Sequence, residues 1–246
     1  MITRLMPKDW KDLQTETGKI LSECGFTVEV EKKCDSARGN IEIDVYAEEI
    51  FIGRKNKVII ECKYWDANIP QTIIHAFRTV LNDIGANTGY IVAKSGFQSG
   101  SFNASQYSNI ELLTWEQFQD KFEVLWYQKY FSEYVESHFD ALCSYAEPLV
   151  PNWALKLQNE DVDRMKHLRE EYEEIGWVLL YMMKYSQMNT ENWIRKLPLS
   201  DYIKSSKIPT NILSETGYRE LIPLLHAYCD PAIEAFHKLK EKVEKI

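Results

Sequence analysis

Gly39-Asn40-Ile41-Glu42-Ile43-Asp44-Val45-Tyr46-Ala47 and, shortly after it, Val58-Ile59-Ile60-Glu61-Cys62-Lys63-Tyr64-Trp65 are the two stretches that decide the fold. Both are rich in β-branched residues, which favours strands. Side chains of an extended chain alternate between two faces. The first stretch therefore predicts an apolar face opposite a face that carries Glu42, Asp44 and Tyr46. In the second stretch Glu61 and Lys63 share a face.

The connection between the two stretches predicts an antiparallel hairpin. Only residues 48–56 join them, and Gly53-Arg54-Lys55-Asn56 is typical of a turn. A register that places Asp44 beside Glu61 also places Glu42 opposite Lys63. The alternative is a solvent-facing hairpin in which Glu42 and Lys63 form an ordinary ion pair. Because Val58-Ile59-Ile60 is typical of a central strand buried on both faces, charged groups in that strand need a partner.

The chemistry of these side chains predicts a metal site. Two neighbouring carboxylates are destabilising unless a cation lies between them. Mg²⁺ is usually held by one or two carboxylates together with water and substrate phosphate. Asp44 and Glu61 would supply the oxygens, and Lys63 would position a water or stabilise developing charge. The set predicts phosphodiester hydrolysis assisted by Mg²⁺, with Mn²⁺ as a substitute.

The first half of the chain predicts an α/β domain. A helix is expected from Asp9 to Cys24 and another from Pro70 to Gly85, each with an apolar stripe. Further strands are expected at 26–32, 89–93 and 110–113, with a short helix between the last two. The order α-β-β-β-α-β-α-β predicts a mixed central sheet flanked by helices.

The second half predicts helices only. Strand patterns end near residue 115, and among the predicted helices are Glu215–Ala227 and a separate one that begins at Pro231. We therefore expect a first domain at 1–120 and a helical domain at 121–246. Oligomerisation, as a homodimer, or binding of a protein partner is the role expected for the second domain.

Composition narrows the function classes. The net charge of −8 argues against a protein that coats DNA generically. If nucleic acid is bound, local basic clusters are the candidate phosphate contacts, namely Lys32, Lys33 and Arg38 on one loop and Arg54, Lys55 and Lys57 on another; the alternative for both clusters is ordinary solvated charge. Five scattered cysteines without a Cys-x-x-Cys pair predict neither zinc nor a disulfide framework, and no apolar run reaches membrane-spanning length. A cytoplasmic protein is expected.

Residues 10–118 resemble the Mrr-type branch of the PD-(D/E)xK, or restriction endonuclease-like, nucleases. The likeness rests on four segments: Leu21-Ser22-Glu23-Cys24-Gly25-Phe26, the Asp44 strand, Glu61-Cys62-Lys63-Tyr64-Trp65, and Ile91-Val92-Ala93-Lys94-Ser95-Gly96-Phe97. The resemblance implies that Asp44 and Glu61 bind Mg²⁺ and that Lys63 assists the attacking water. It also implies a metal-binding glutamate on the first helix. Glu16 is chosen for that position, and Gln14 fits the spacing to Gly25 about as well.

The sequence also departs from the family pattern. Ile43 replaces the proline before Asp44, and Glu42 adds an anion. Typical Mrr proteins carry a winged-helix DNA-binding domain that neither the residues before Trp10 nor the acidic second half resembles. Candidate DNA contacts are Lys94, Gln98 and Gln71, while His75 is expected to be packed or solvated.

The sequence as a whole predicts a Mg²⁺-dependent DNA endonuclease that acts in restriction or anti-phage defence. A repair or recombination nuclease is the alternative within the enzymes. A nuclease fold without activity, used as a binding module, is the alternative outside them.

Overall fold

The computed structural model describes residues 1–36, 39–146, 150–184 and 196–244. The chain divides into two compact units, one made of Leu5–Lys129 and the other of Met1–Arg4 with Tyr130–Ile246. The predicted division into domains 1–120 and 121–246 stays a prediction. Among the described residues, no helix is both long enough and apolar enough to cross a membrane.

The Leu5–Lys129 unit has the predicted order of elements. Its strands are β1 Thr27–Ser36, β2 Gly39–Phe51, β3 Arg54–Lys63, β4 Thr88–Ala93 and β5 Ile110–Thr114. Its helices are α1 Trp10–Glu23, α2 Gln71–Ile84, α3 Ser99–Ser105 and α4 Trp115–Trp126.

The five strands form one mixed sheet in the order β1-β2-β3-β4-β5. The first two pairings are antiparallel, and β3–β4 and β4–β5 are parallel. The predicted α/β architecture is confirmed. β3 is the central strand, and Ile59 and Ile60 within it have no exposed surface. The charged end of β3 is therefore held at the middle of the sheet.

Local sequence sets the ends of the helices. Asp9 caps α1 by accepting a hydrogen bond from the backbone N–H of Asp12 at 2.9 Å. α2 ends at Gly85, whose φ of 64° suits a left-handed C-cap. Thr114 and Gln117 form a reciprocal capping box at the start of α4. These signals are readable in the sequence because each depends on residues only a few positions apart.

Two glycines allow helices to approach the sheet closely. A Cβ atom at Gly18 of α1 would lie 2.9 Å from a methyl group of Val30 in β1. A Cβ atom at Gly89 of β4 would lie 2.4 Å from Leu81 Cδ1 and 2.7 Å from Phe77 Cε1 in α2. Any side chain at Gly89 would therefore force the Leu81 and Phe77 side chains of α2 to shift.

Described elements of the second unit are helical. They include α5 Ser132–Ala146, which follows a π-helical turn at Tyr127–Phe131, α6 Asn159–Met182, α7 Thr210–Ser214 and α8 Tyr218–Glu244. The predicted break before Pro231 is wrong, because α8 runs through both Pro223 and Pro231. Proline removes a backbone donor, but the fully buried Leu225, Cys229 and Phe236 hold the helix in place by packing.

Candidate active site

Asp44 lies where the β2–β3 pairing comes to an end. The residue pairs between β2 and β3 run from Phe51–Arg54 to Val45–Ile60. Continued by one residue, the same register would place Asp44 beside Glu61, as predicted. Beyond that point the Asp44 carboxylate accepts a hydrogen bond from the backbone N–H of Cys62 at 2.7 Å. The acidic side chain is thus fixed against the central strand by a backbone contact.

The alternation predicted for β2 breaks at Asp44. Ile43 and Tyr46 belong to one core cluster, and Lys32, which pairs with Ile43, lies 3.7 Å over the Tyr46 ring. Val45, by contrast, faces Gly18 of α1. The prediction that Ile43 and Val45 share a face is therefore wrong. In β1 the residue at the facing position, Glu31, has φ of 53°, a local irregularity of the kind that re-aims side chains next to active sites.

Burial and a neighbouring negative charge raise the pKa of Asp44 to about 6. Burial is the largest cause, and the charge of Glu61 is the second. Hydrogen bonds from Cys62 N–H and the Gln14 side chain, and the charge of Lys63, act in the opposite direction. Glu61 is therefore close enough to oppose the ionisation of Asp44, which is a condition that a bound cation relieves.

Glu61 and Lys63 occupy the carboxyl end of β3. Lys63 Nζ donates a hydrogen bond to Glu61 Oε1. The Lys63 side chain is 18% exposed and the Glu61 side chain is 28% exposed. The backbone of Lys63 accepts from the N–H of Lys94 at 2.9 Å, just past the parallel strand β4. A partly open site at the carboxyl ends of parallel strands is a common place for ligands in α/β folds.

The α1 side chain that reaches Asp44 is Gln14. It is 5% exposed and donates a hydrogen bond to the Asp44 carboxylate, whereas Glu16 is only partly buried. Residues two apart on a helix do not share a face. Within residues 1–36, 39–146, 150–184 and 196–244, no three His, Cys, Asp or Glu side chains are gathered to hold a metal. Glu16 is therefore not brought together with Asp44 and Glu61, and its metal role stays a prediction.

A sequence signal for Gln14 exists in the buried stripe of α1. Gln14, Thr17, Gly18 and Leu21 follow one another at the spacing of a single helix face, and all four are buried. A lone amide within a stripe that packs on a sheet needs a polar partner there. That requirement points to Gln14 more directly than its distance from Gly25 does.

The residues predicted to contact DNA lie around the β4–α3 connection and α2. Lys94 Nζ forms an ion pair with Asp66 Oδ1 at 2.6 Å and lies 4.6 Å from the centre of the Tyr64 ring. Gln98 directly precedes α3, and its backbone N–H donates to Ile69 O at 3.0 Å. Gln71, in α2, is exposed. Their contact with DNA stays a prediction.

The other polar groups of this region have local roles. Ser95 Oγ donates to Ala67 O at 2.8 Å, and the buried Ser101 Oγ donates to Ile69 O at 2.6 Å. Both serines therefore tie the segment between β3 and α2 to the β4–α3 region. His75 is exposed on α2, in agreement with a solvated side chain.

The two basic clusters are not on loops as predicted. Lys32 and Lys33 lie in β1, and Arg54, Lys55 and Lys57 lie in β3, because the hairpin pairing continues to Phe51–Arg54. Lys55 pairs with Glu48 at 2.7 Å, and Lys57 Nζ donates to Ile84 O at 3.2 Å. Arg38 lies outside the described residues.

Comparison with known proteins finds a family model that matches most of the first unit. Residues 6–122 match the family model Mrr_cat, described as "Restriction endonuclease". The predicted resemblance to Mrr-type nucleases over residues 10–118 is thereby confirmed. No curated protein matches the chain.

One solved structure is similar to part of the chain. It is titled "Crystal Structure of Protein of Unknown Function AF1548" and shares 18% identity over 72% of this chain and 96% of its own, with a TM-score of 0.39. A likeness at this level carries no argument about fold or function.

Proposed function

Because residues 6–122 match the Mrr_cat restriction endonuclease family, we propose that this part of the chain is a Mg²⁺-dependent endonuclease that hydrolyses phosphodiester bonds of DNA. The observation that carries the proposal is the meeting of three groups at the end of β3. Asp44 is held to the Cys62 N–H, Glu61 opposes its ionisation, and Lys63 is hydrogen-bonded to Glu61.

The residues present fit a hard divalent cation. Mg²⁺ commonly takes one or two carboxylates from the protein and completes its shell with water and substrate phosphate. Asp44 and Glu61 are two such carboxylates, and the pKa of Asp44 is raised by its burial and, second, by the charge of Glu61, which a bound cation would offset. When bound, the ion would polarise the phosphate and lower the pKa of a water molecule.

The protein's own groups orient this chemistry. Gln14 and the Cys62 N–H fix the Asp44 carboxylate from two sides, which limits its rotation. Glu61 holds the Lys63 ammonium in place. In that position the lysine can orient the attacking water or stabilise the charge that develops on the phosphate oxygens. Preorganised groups of this kind cost no rearrangement during the reaction.

A plasmid assay tests the proposal. The full chain is incubated with supercoiled plasmid and Mg²⁺ or Mn²⁺, alongside Asp44→Asn and Lys63→Ala. We expect cleavage by the wild type and a loss of at least about 100-fold in each variant. Glu42→Gln is the matched control, since Glu42 is an exposed carboxylate of the same strand, and it should cut normally.

Two results would contradict the proposal. One is equal cleavage by the wild type and both site variants, which would indicate a contaminating nuclease. The other is an intact plasmid with every protein and both metals, which would favour the alternative of a nuclease fold used as a binding module.

Restriction or anti-phage defence is the setting that we propose, on the basis of the family's description alone. Cells that express the wild type should reduce phage plating, and cells that express Asp44→Asn should not. Equal plating would leave a repair or recombination nuclease as the better account. A partner-binding or dimerising role for the helical second unit stays a prediction that stoichiometry in solution can test.

A further inference from the structure

Trp65 is an exposed tryptophan beside the candidate active site that the proposed chemistry does not use. It follows β3 directly, two positions after Lys63, and 43% of its surface is exposed. Of the other tryptophans of the same unit, Trp115 and Trp126 are 1% and 0% exposed, while Trp10, at the start of α1, is 51% exposed. Tryptophan side chains are highly buried on average, so an exposed ring next to the proposed catalytic groups is a candidate ligand contact.

The Trp65 ring lies at the rim of the site. Lys63 Nζ is 5.6 Å from the ring centre, and the same ammonium donates to Glu61. A phosphate that contacts Lys63 would therefore bring its own nucleotide within reach of the indole. Tyr64 and Asp66, the chain neighbours of Trp65, both contact Lys94, whose ammonium is paired with the Asp66 carboxylate.

The polar end of Trp65 is unused within the described part of the chain. Among the described residues its indole N–H makes no hydrogen bond, whereas Trp115 Nε1 donates to Leu5 O at 3.3 Å and Trp126 Nε1 donates to Glu23. Tryptophan normally finds a partner for this group when it is part of a core. The indole N–H, and the face of the ring opposite the Lys63 ammonium, are therefore available to a ligand.

We propose that Trp65 stacks on an unpaired base next to the scissile phosphate, so that the enzyme prefers DNA with an unstacked base, such as single strands or single-strand junctions, over continuous duplex. This inference rests on the proposed function. A base inside a duplex has both faces covered by its neighbours, whereas an unpaired base offers a face for stacking.

The charge of the chain supports this substrate class. With a net charge of −8, the protein gains little from general attraction to phosphates, which supplies most non-specific binding to duplex DNA. A stacking contact does not depend on that attraction. One aromatic platform strengthens single-strand binding by about 5-fold to 150-fold per base.

Binding is measured first, without cleavage. The Asp44→Asn protein is compared with Asp44→Asn carrying Trp65→Ala or Trp65→Phe, using fluorescence anisotropy with a labelled single-stranded oligonucleotide and its duplex. Loss of the ring should weaken single-strand binding by about tenfold or more and change duplex binding by less than about twofold. Phenylalanine, which keeps a stacking face, should restore most of the affinity.

Trp177→Ala is the matched control. Trp177 is a tryptophan of similar exposure, 41%, on α6 of the other unit, and its loss should leave both affinities unchanged. Melting curves confirm that each variant is folded. Equal weakening of single-strand and duplex binding, or no weakening of either, would overturn the assignment of Trp65.

Cleavage kinetics separate stacking from a purely positional effect on Lys63. In the chain with Asp44 intact, Trp65→Ala should raise KM for single-stranded DNA with little change in kcat. A fall in kcat on all substrates would instead mean that the ring only positions Lys63, and it would overturn the inference. If the wild type binds single strands through Trp65 but cuts no DNA, the proposed function fails while the stacking contact stands.

Discussion

Neutralising Asp44 should stabilise the protein while it abolishes the proposed activity. Burial and the charge of Glu61 raise the pKa of Asp44 from 3.8 to about 6. The folded state therefore resists ionisation of this carboxyl more than the unfolded chain does. In the Asp44→Asn variant the new amide would keep one oxygen that accepts from Cys62 N–H, could donate its own N–H to the side-chain oxygen of Gln14, and would carry no charge. The substitution therefore removes the free-energy cost of holding a buried charge beside Glu61 and keeps the hydrogen bond from the Cys62 N–H.

The magnitude follows from the size of the pKa difference. A rise from 3.8 to about 6 corresponds to about 3 kcal/mol, at about 1.4 kcal/mol for each factor of ten. Asp44 is partly exposed, and water screens the charge, so roughly 1–2 kcal/mol is expected. The pKa of Asp44 is raised in the folded state. The stability that Asp44 contributes is therefore fully present below pH 3.8 and is lost as the pH rises from there through about 6.

Urea unfolding in EDTA, followed by circular dichroism at about pH 4 and about pH 7.5, measures this effect. Relative to the wild type, Asp44→Asn should gain roughly 1–2 kcal/mol of unfolding free energy between the two pH values. Glu61→Gln should reduce the pH dependence of the wild type, since the charge of Glu61 is the second cause of the shift. Glu42→Gln, at an exposed position, controls for the loss of one charge.

A difference in unfolding free energy between the wild type and Asp44→Asn that is the same at both pH values would contradict this prediction. A loss of stability of the variant relative to the wild type as the pH rises would also contradict it. Either result would mean that the Asp44 carboxylate is not destabilised by its surroundings, and the charge conflict proposed to attract a cation would not exist.

Three further predictions follow from the same geometry. At limiting Mg²⁺, initial cleavage rates should fall as the pH drops through about 6, because protonated Asp44 is a poor ligand; a flat profile from about pH 5 to 8 would contradict this. Gln14→Leu removes a hydrogen bond that favours the ionised Asp44, so the midpoint of that profile should move to higher pH, and a midpoint that stays or falls would count against the role of Gln14. Gly89→Ala should cost about 1–3 kcal/mol in urea unfolding, because its Cβ would meet Leu81 Cδ1 at 2.4 Å; Gly100→Ala, which meets only a side-chain amide at 3.0 Å, should cost less, and equal costs would show that α2 adjusts freely.

The order of elements and the central strand were predictable because they depend on local patterns. Alternation over Val58–Lys63 and the short connection before it predict a hairpin, and the hairpin offset predicts the neighbours of Asp44. Runs of apolar residues on both faces indicate burial at the middle of a sheet. Caps and turns add boundaries that need only a few residues each.

What the sequence did not reveal depends on contacts between elements. The face switch at Asp44 accompanies the irregular backbone of Glu31 in a neighbouring strand, which no period-2 pattern of β2 contains. The choice between Gln14 and Glu16 depends on how α1 is rotated against the sheet. The uninterrupted helix at Pro231 depends on packing that overrides local preference.

Calorimetric titration with Mn²⁺ at about pH 7.5, where Asp44 is ionised, tests most directly whether Asp44 and Glu61 form a cation site. We expect binding by the wild type and by Glu42→Gln, and a loss of about tenfold or more in affinity for Asp44→Asn and for Glu61→Gln. Equal affinity in all four proteins, or no binding by the wild type, would contradict it.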